Sequence, residues 1–242
     1  MSRSVYERNP HAAYPCLTND DIAAEHRSTV PSPMSDVTPV VFVVDDDLSV
    51  RESLESLIQF AGWEPRTFAS ARDFLSCPLP SGPSCLVLDV SLPDLNGLEV
   101  QSLVTSEWAE RPIIFITGYG DVPTSVRAMK AGAAEFLIKP IGNDVMLEAI
   151  AAALERSRAA VSEAAEVQAI RDCYASLSRR EREVMDLVVA GLLNKQVGGQ
   201  LGISEITVKT HRGRVMEKMN ARSLADLVRM SSRLGMSTAA KR

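Results

Sequence analysis

The sequence predicts an α/β doubly wound five-stranded parallel sheet followed by an all-α four-helix domain. Three observations carry this. From Val40 to about residue 154, five short apolar runs alternate with helical stripes, the pattern of a parallel sheet covered on both faces. Asp45, Asp89, Thr117 and Lys139 each close or follow one of those runs. From Ser176 onward, helix caps and glycine stops recur at short intervals around a basic helical segment.

The first strand is Val40–Val44, ending in Asp45, Asp46 and Asp47, and Asp47 is read as a helix-start residue. Val50, Leu54, Leu57, Ile58 and Ala61 form a helical stripe closed by Gly62. A short strand near Arg66–Phe68 leads to Ser70, a cap for the helix carrying Phe74 and Leu75. Cys85–Leu88 is the third strand and delivers Asp89. After a loop in which Asp94 reads as a turn residue beside Pro93, Leu98–Trp108 is helical. Pro112–Ile116 ends in Thr117, Val122–Ala131 is a helix stopped by Gly132, and Glu135–Ile138 ends in Lys139-Pro140. From Asn143, one long helix or two with a kink carries Val145, Ile150, Ala153, Leu154, Val161, Ala165, Val167 and Ile170 in an imperfect stripe. It reads either as a dimer-forming or signal-carrying helix or as a solvated linker.

In the second domain, Ser178 and Glu181 form a capping box for a helix with Val184, Leu187 and Val188, ended by Gly191. Asn194 is expected to cap a short helix through Leu201, ended by Gly202. Ser204 caps a third helix to about Met219, and Ser223 with Asp226 opens a fourth. This is the order of a helix-turn-helix. The third helix is expected to turn Lys209, His211, Arg212, Arg214 and Lys218 outward and Ile206 and Val215 inward, and Arg222 reads as a phosphate anchor. Residues 1–38 lack periodicity and are expected to be a disordered tail; a flexible tail and a chain start at Met34 both remain open. The domains are thus 1–38, 39–141, a helical connector 142–175, and 176–242.

In a doubly wound sheet the ligand site lies beyond the carboxyl ends of the strands. Asp45, Asp46 and Asp89 would meet there and repel unless a cation joined them. A hard oxygen set with few protein ligands suits Mg²⁺. A carboxylate nucleophile, a cation site, the Thr117 hydroxyl and the Lys139 ammonium together fit phosphoryl transfer to aspartate.

Asp45-Asp46, LVLDVSLPDLNGLE around Asp89, ITGYGD at Thr117 and Lys139-Pro140 resemble the flavodoxin-like receiver domain of two-component response regulators. LSRREREVMDLVVAG, NKQVGGQLGISEITVKTHRGRVMEKM and RSLADLVRM resemble the LuxR-type four-helix effector domain. Together, from Val40 onward, the chain resembles the FixJ-like branch of response regulators.

The resemblance implies that Asp89 is the phosphoacceptor, that Asp46, Asp89 and the Ser91 main-chain carbonyl hold Mg²⁺, and that Asp45 acts through water. It implies that Thr117 and Lys139 contact phosphoryl oxygens, that Lys139-Pro140 is cis, and that Phe136 turns inward with Thr117 as a switch. The groove-facing positions map onto Lys209, Thr210 and Gly213; Gly213 has no side chain to read a base, which shifts attention to Arg212 or Arg214. Gly198-Gly199 departs from the usual Ala at the first position. The partners implied are a sensor histidine kinase, promoter DNA, RNA polymerase and, when phosphorylated, a second copy of the chain.

Charge agrees. From Ser176 on, 13 Lys or Arg face 6 Asp or Glu, a net of +7, so the rest carries −12 to give −5 overall. A basic module on an acidic body suits a nucleic-acid binder under separate control. No apolar run approaches the roughly 20 residues of a membrane span, and a cytoplasmic protein is expected. Cys16, Cys77, Cys85 and Cys173 lack metal-ligand spacing, with Cys85 in an apolar run. An enzyme is not expected: an aspartyl-phosphate phosphatase usually carries an acid two positions after its nucleophile, where Ser91 stands, and no Walker-type loop is present. A receiver acting by protein contact alone is the other alternative, distinguished by whether the chain binds random duplex DNA with steep salt dependence.

Overall fold

A computed structural model describes residues 37–104 and 111–236. The expected tail lies almost wholly outside the described residues, as do Met34, Cys16 and the end of the helix expected to reach Trp108.

Five strands, β1 (Val40–Val44), β2 (Glu64–Phe68), β3 (Ser84–Asp89), β4 (Ile113–Thr117) and β5 (Glu135–Ile138), form one parallel sheet in the order β2-β1-β3-β4-β5. The order reverses at β1 and β3, the strands that deliver the acidic residues. Because side chains alternate across a strand, Phe42 and Val44 face one layer while Val41 and Val43 face the other. The first layer is α2 (Ala71–Leu75), α3 (Gly97–Val104) and α4 (Val122–Lys130); the second is α1 (Leu48–Phe60) and the start of α5 (Asn143–Ala175). β1, β3 and β4 are buried along their whole length, the reason their sequences read as unbroken apolar runs. Asp47 and Ser70 cap α1 and α2 as expected. Burial pushes the Cys85 thiol up to about 12, so it is an inert core group.

The connector is one unbroken helix of 33 residues. At about 1.5 Å per residue such a helix is longer than one small domain can cover, and its two ends serve different cores. Met146, Ile150, Ala153 and Leu154 seal the sheet, whereas Val145, expected in that stripe, is 50% exposed. The buried Ser157 hydroxyl accepts a hydrogen bond from Ser84 N at 3.0 Å, tying α5 to the start of β3. Ile170, Cys173 and Tyr174 pack on the C-terminal helical core. Residues on both sides of 141 pack on the sheet, and residues on both sides of 175 pack on the helical core. The imperfect stripe is two short stripes on one helix.

The C-terminal helices are α6 (Arg179–Val189), α7 (Asn194–Leu201), α8 (Glu205–Lys218) and α9 (Leu224–Arg233), with the capping box at Ser178 and Glu181 in place. Asn194 is the first residue of α7 rather than its cap. Leu193 holds the cap position, its N–H donating to the Gln196 side chain at 2.8 Å. The Asn194 carboxamide instead accepts from Arg212 on α8 at 3.2 Å. Of the paired glycines, Gly198 is buried, and a Cβ there would meet the Ile203 carbonyl oxygen at 2.8 Å, so its bareness lets the α7–α8 turn close. Gly199 has open space around it.

The two glycines should therefore respond in opposite directions. Gly199→Ala should raise stability by about 1 kcal/mol through helix propensity alone. Gly198→Ala should lower it despite the same propensity gain, because the turn backbone must shift. Thermal unfolding of the two variants checks both signs.

Candidate functional site

β1 and β3 bring Asp45, Asp46 and Asp89 to one end of the sheet, where their ligand atoms lie within 4.8 Å of one another. Asp45 and Asp89 are buried and Asp46 is exposed. Lys139, at the end of β5, reaches Asp45 Oδ2 at 2.5 Å and Asp89 Oδ2 at 3.6 Å. The Lys139-Pro140 bond is cis, as expected. Asp45 Oδ1 accepts from Asp47 N at 2.9 Å, so each oxygen of this carboxylate has a partner. Asp89 is different: its Oδ1 is buried without a hydrogen-bond partner. Burial raises the Asp89 pKa above the ordinary aspartate value, a shift opposed by Lys139 and reinforced by Asp45. An orphaned buried oxygen among hard donors is what a cation or phosphoryl group would complete, so the residues fit a metal such as Mg²⁺.

The remaining pocket residues fall around this point. Ser91 follows two residues after Asp89 in the β3–α3 loop and is exposed. Thr117 is fully buried, its hydroxyl oxygen accepting from Tyr119 N at 3.2 Å. Phe136 is half-buried, its ring 6.3 Å from that of Phe115. A Cβ at Gly97 would meet the Asp89 carbonyl oxygen at 2.6 Å, so only glycine lets α3 begin this close to the pocket.

On α8, the buried residues are Val208 and Val215. Lys209, Thr210, Gly213 and Arg214 are exposed, and His211 and Arg212 are half-buried. Ile206 does not point inward as expected but is 80% exposed. At about 100° per residue, positions 206 and 215 stand on opposite sides of a helix, while 208 and 215 share one. Arg222, before α9, is exposed.

Two family models match the chain: "Response regulator receiver domain" over residues 41–151, and "Bacterial regulatory proteins, luxR family" over residues 175–231. Nodulation protein W of Bradyrhizobium diazoefficiens is 51% identical over 82% of this chain and 87% of its own length. Response regulator protein TodT of Pseudomonas putida is 44% identical over 83% of this chain and 88% of its own. The solved structure of response regulator StyR, 46% identical, superposes with a TM-score of 0.72 and covers 81% of this chain and all (100%) of that one. This chain is a LuxR-type response regulator.

The response regulator thus joins a receiver domain to a LuxR-type DNA-binding domain, and its relatives include transcriptional regulators of two-component systems. Such a protein stands between a sensor kinase and DNA. Among the described residues, no helix is long and apolar enough to cross a membrane.

Several contacts of the regulator escaped the sequence reading. Arg51 on α1 donates to the Asp45 carbonyl oxygen at 2.6 Å, steadying the acidic loop. Asp94 is more than a turn residue: its carboxylate accepts from Ala71 N and Arg72 N at 3.3 and 3.1 Å, capping α2 from the β3–α3 loop. Those backbone bonds lower its pKa. Lys195 on the first turn of α7 is an exposed cation. Its signal was present, a lysine in the first turn of the helix preceding the basic one.

Lys218 is the principal departure among the expected DNA residues. Its ammonium pairs with the buried Glu181 carboxylate at 2.7 Å and donates to the Ser176 carbonyl oxygen at 3.3 Å. Arg212 is likewise occupied, held by Asn194, leaving Arg214 as the exposed arginine of α8. The Lys218 hydrogen bond and the Ser178 N–H hold Glu181 down to about 2 from 4.5. A depressed carboxylate contributes stability above its unfolded pKa and loses it as pH falls through the folded one.

The LuxR-type domain should therefore weaken as pH drops from about 4.5 through about 2, and Glu181→Gln should remove this part of the acid sensitivity. Lys218→Gln should lower stability at neutral pH by on the order of 1–3 kcal/mol yet leave the salt slope of DNA binding unchanged. Thermal melts against pH, with binding isotherms against salt, check both; a reduced salt slope would return Lys218 to the DNA contacts.

Proposed function

We propose that this chain is a transcription regulator switched by phosphoryl transfer from a sensor histidine kinase to Asp89. The observation that carries the reading is the orphaned Asp89 Oδ1, buried at the end of β3 with Asp45, Asp46 and Lys139 gathered around it. In the transfer, an Asp89 carboxylate oxygen attacks phosphorus, the phosphorus–nitrogen bond of the phosphohistidine breaks, and the electron pair leaves with the imidazole. Mg²⁺, held by Asp46, Asp89 and the Ser91 carbonyl with Asp45 acting through water, would supply positive charge for the phosphoryl oxygens. Lys139, already 3.6 Å from Asp89, supplies the second positive charge. The Thr117 hydroxyl leaves Tyr119 N to bind a phosphoryl oxygen, and Phe136 moves with it as the switch.

The consequence is read on the α4–β5 face. Val122, Val126, Met129 and Ile138 are 75%, 44%, 46% and 56% exposed, with Lys130 ending α4. This apolar face is the surface on which phosphorylated copies pair. Two α8 helices then meet adjacent half-sites, and effective concentration raises affinity. Lys209 and Thr210 stand at the groove-facing end, with His211 beside them, while Arg214 and Arg222 anchor phosphates. The activity lies in DNA binding and recruitment of RNA polymerase in the cytoplasm, not in an enzymatic turnover of its own. The receiver extends to about residue 157, where α5 leaves the sheet.

With Mg²⁺ and acetyl phosphate, the wild type should gain one acid-stable, base-labile phosphoryl group and Asp89→Asn none. Equal labelling of both would remove Asp89 as the acceptor. Sedimentation should show the phosphorylated protein shifting from monomer to dimer, which needs a bias of only a few kcal/mol. Val126→Glu with Met129→Glu should keep the label and remain monomeric. A dimer that persists in that variant would place the interface elsewhere.

A further inference from the structure

Ile206 is the second residue of α8, and it is 80% exposed. Isolated exposed apolar residues are ordinary on protein surfaces. Its position is what sets this one apart. At about 100° per residue, Ile206 shares a stripe with Lys209, Thr210 and Gly213, directly opposite the buried Val208 and Val215. It stands one turn ahead of Lys209, at the N-terminal end of a recognition helix, the part that reaches base edges.

The neighbours leave its side of the stripe apolar and open. The Thr210 hydroxyl donates to the Ile206 carbonyl oxygen at 3.1 Å, so its hydrogen is already spent on the backbone beside Ile206. Gly213 offers no side chain, and a Cβ there would touch nothing within 4 Å. Ile206 is branched at Cβ and stiff, so little side-chain freedom is lost on docking.

The major groove displays one prominent apolar group, the 5-methyl of thymine. We infer that Ile206 is a specificity-determining residue that packs on a thymine methyl in each half-site. The inference rests on the reading of α8 as the DNA-reading helix, and adds that part of the sequence preference is apolar. Lys209 reads the polar base edge next to it, and the cations at Lys195, Arg214 and Arg222 set the depth of the helix through the phosphates.

The test uses the full chain with Mg²⁺ and acetyl phosphate, and duplexes enriched by the wild type from a random-sequence pool. Each thymine of the enriched half-site is replaced in turn by deoxyuridine, which deletes only the methyl group, and affinities are measured for the wild type and Ile206→Ala. At one position per half-site the replacement should weaken the wild type about threefold to tenfold and leave Ile206→Ala unchanged. Ile206→Ala should also lose the thymine preference at that position when it is carried through its own enrichment. Its thermal melt should match the wild type, since the side chain lies outside the core. Equal losses in both proteins at every thymine, or identical enriched sequences, overturn the proposal while leaving α8 as a DNA reader. Failure of the wild type to enrich any sequence overturns the proposal together with the DNA-reading role on which it rests.

Discussion

Like charges brought into one buried place must be held there by something of opposite sign, and in this response regulator that is the ammonium of Lys139. It bridges Asp45 and Asp89 across the ends of β1, β5 and β3, at 2.5 and 3.6 Å. The sheet order makes this possible: the reversal at β1 and β3 opens the crevice in which the carboxylates meet. The balance is incomplete, since among the described residues no such cation pairs with Asp46 and Asp89 Oδ1 has no hydrogen-bond partner. Such a site is tense in the electrostatic sense, and a bound cation would relieve it. The supporting contacts fit that role. Arg51 holds the backbone of Asp45, Asp94 pins the β3–α3 loop to α2, and Gly97 brings α3 against the Asp89 backbone.

The same pocket is wired outward through Thr117 and the β4–α4 loop. The Thr117 hydroxyl holds Tyr119 N, and a Cβ on Gly120 would press into Ile138 at 2.8 Å. The loop therefore packs tightly on β5, next to the apolar face of α4. On the opposite layer, α5 is committed to the sheet by Met146, Ile150 and Leu154 and by the Ser157–Ser84 hydrogen bond, and its far end is committed to the helical core by Ile170 and Tyr174.

In the LuxR-type domain, the cations divide by what lies under them. Lys218 and Arg212 sit where α8 meets α6 and α7, and each is taken by a partner there, Glu181 and Asn194. Lys209 and Arg214 lie toward the open side and stay available. Part of the charge of this basic helix thus fastens it to its own domain. Glu181 shows the economy of this arrangement, since one carboxylate both completes the capping box of α6 and holds Lys218.

The sequence by itself determined the strands, most helix ends and the membership of the acidic pocket. Strands buried on both faces must be apolar throughout, caps such as Asp47, Ser70, Ser178 and Ser204 act within three residues, and ligands in a doubly wound sheet must gather at the strand ends. These are local rules or rules of topology, and both are written in residue order. The orientation of Ile206 was legible too, through its spacing from Val215, but hydrophobicity pulled the reading the other way. Only the tertiary structure decided that Lys218 belongs to Glu181, Arg212 to Asn194, Asp94 to α2 and Ser157 to Ser84. Each of these pairs joins two different elements, from 18 to 73 residues apart in the chain. Whether a charged or polar side chain faces water, DNA or a buried partner depends on which helix packs beside it, and no pattern along a single helix encodes that.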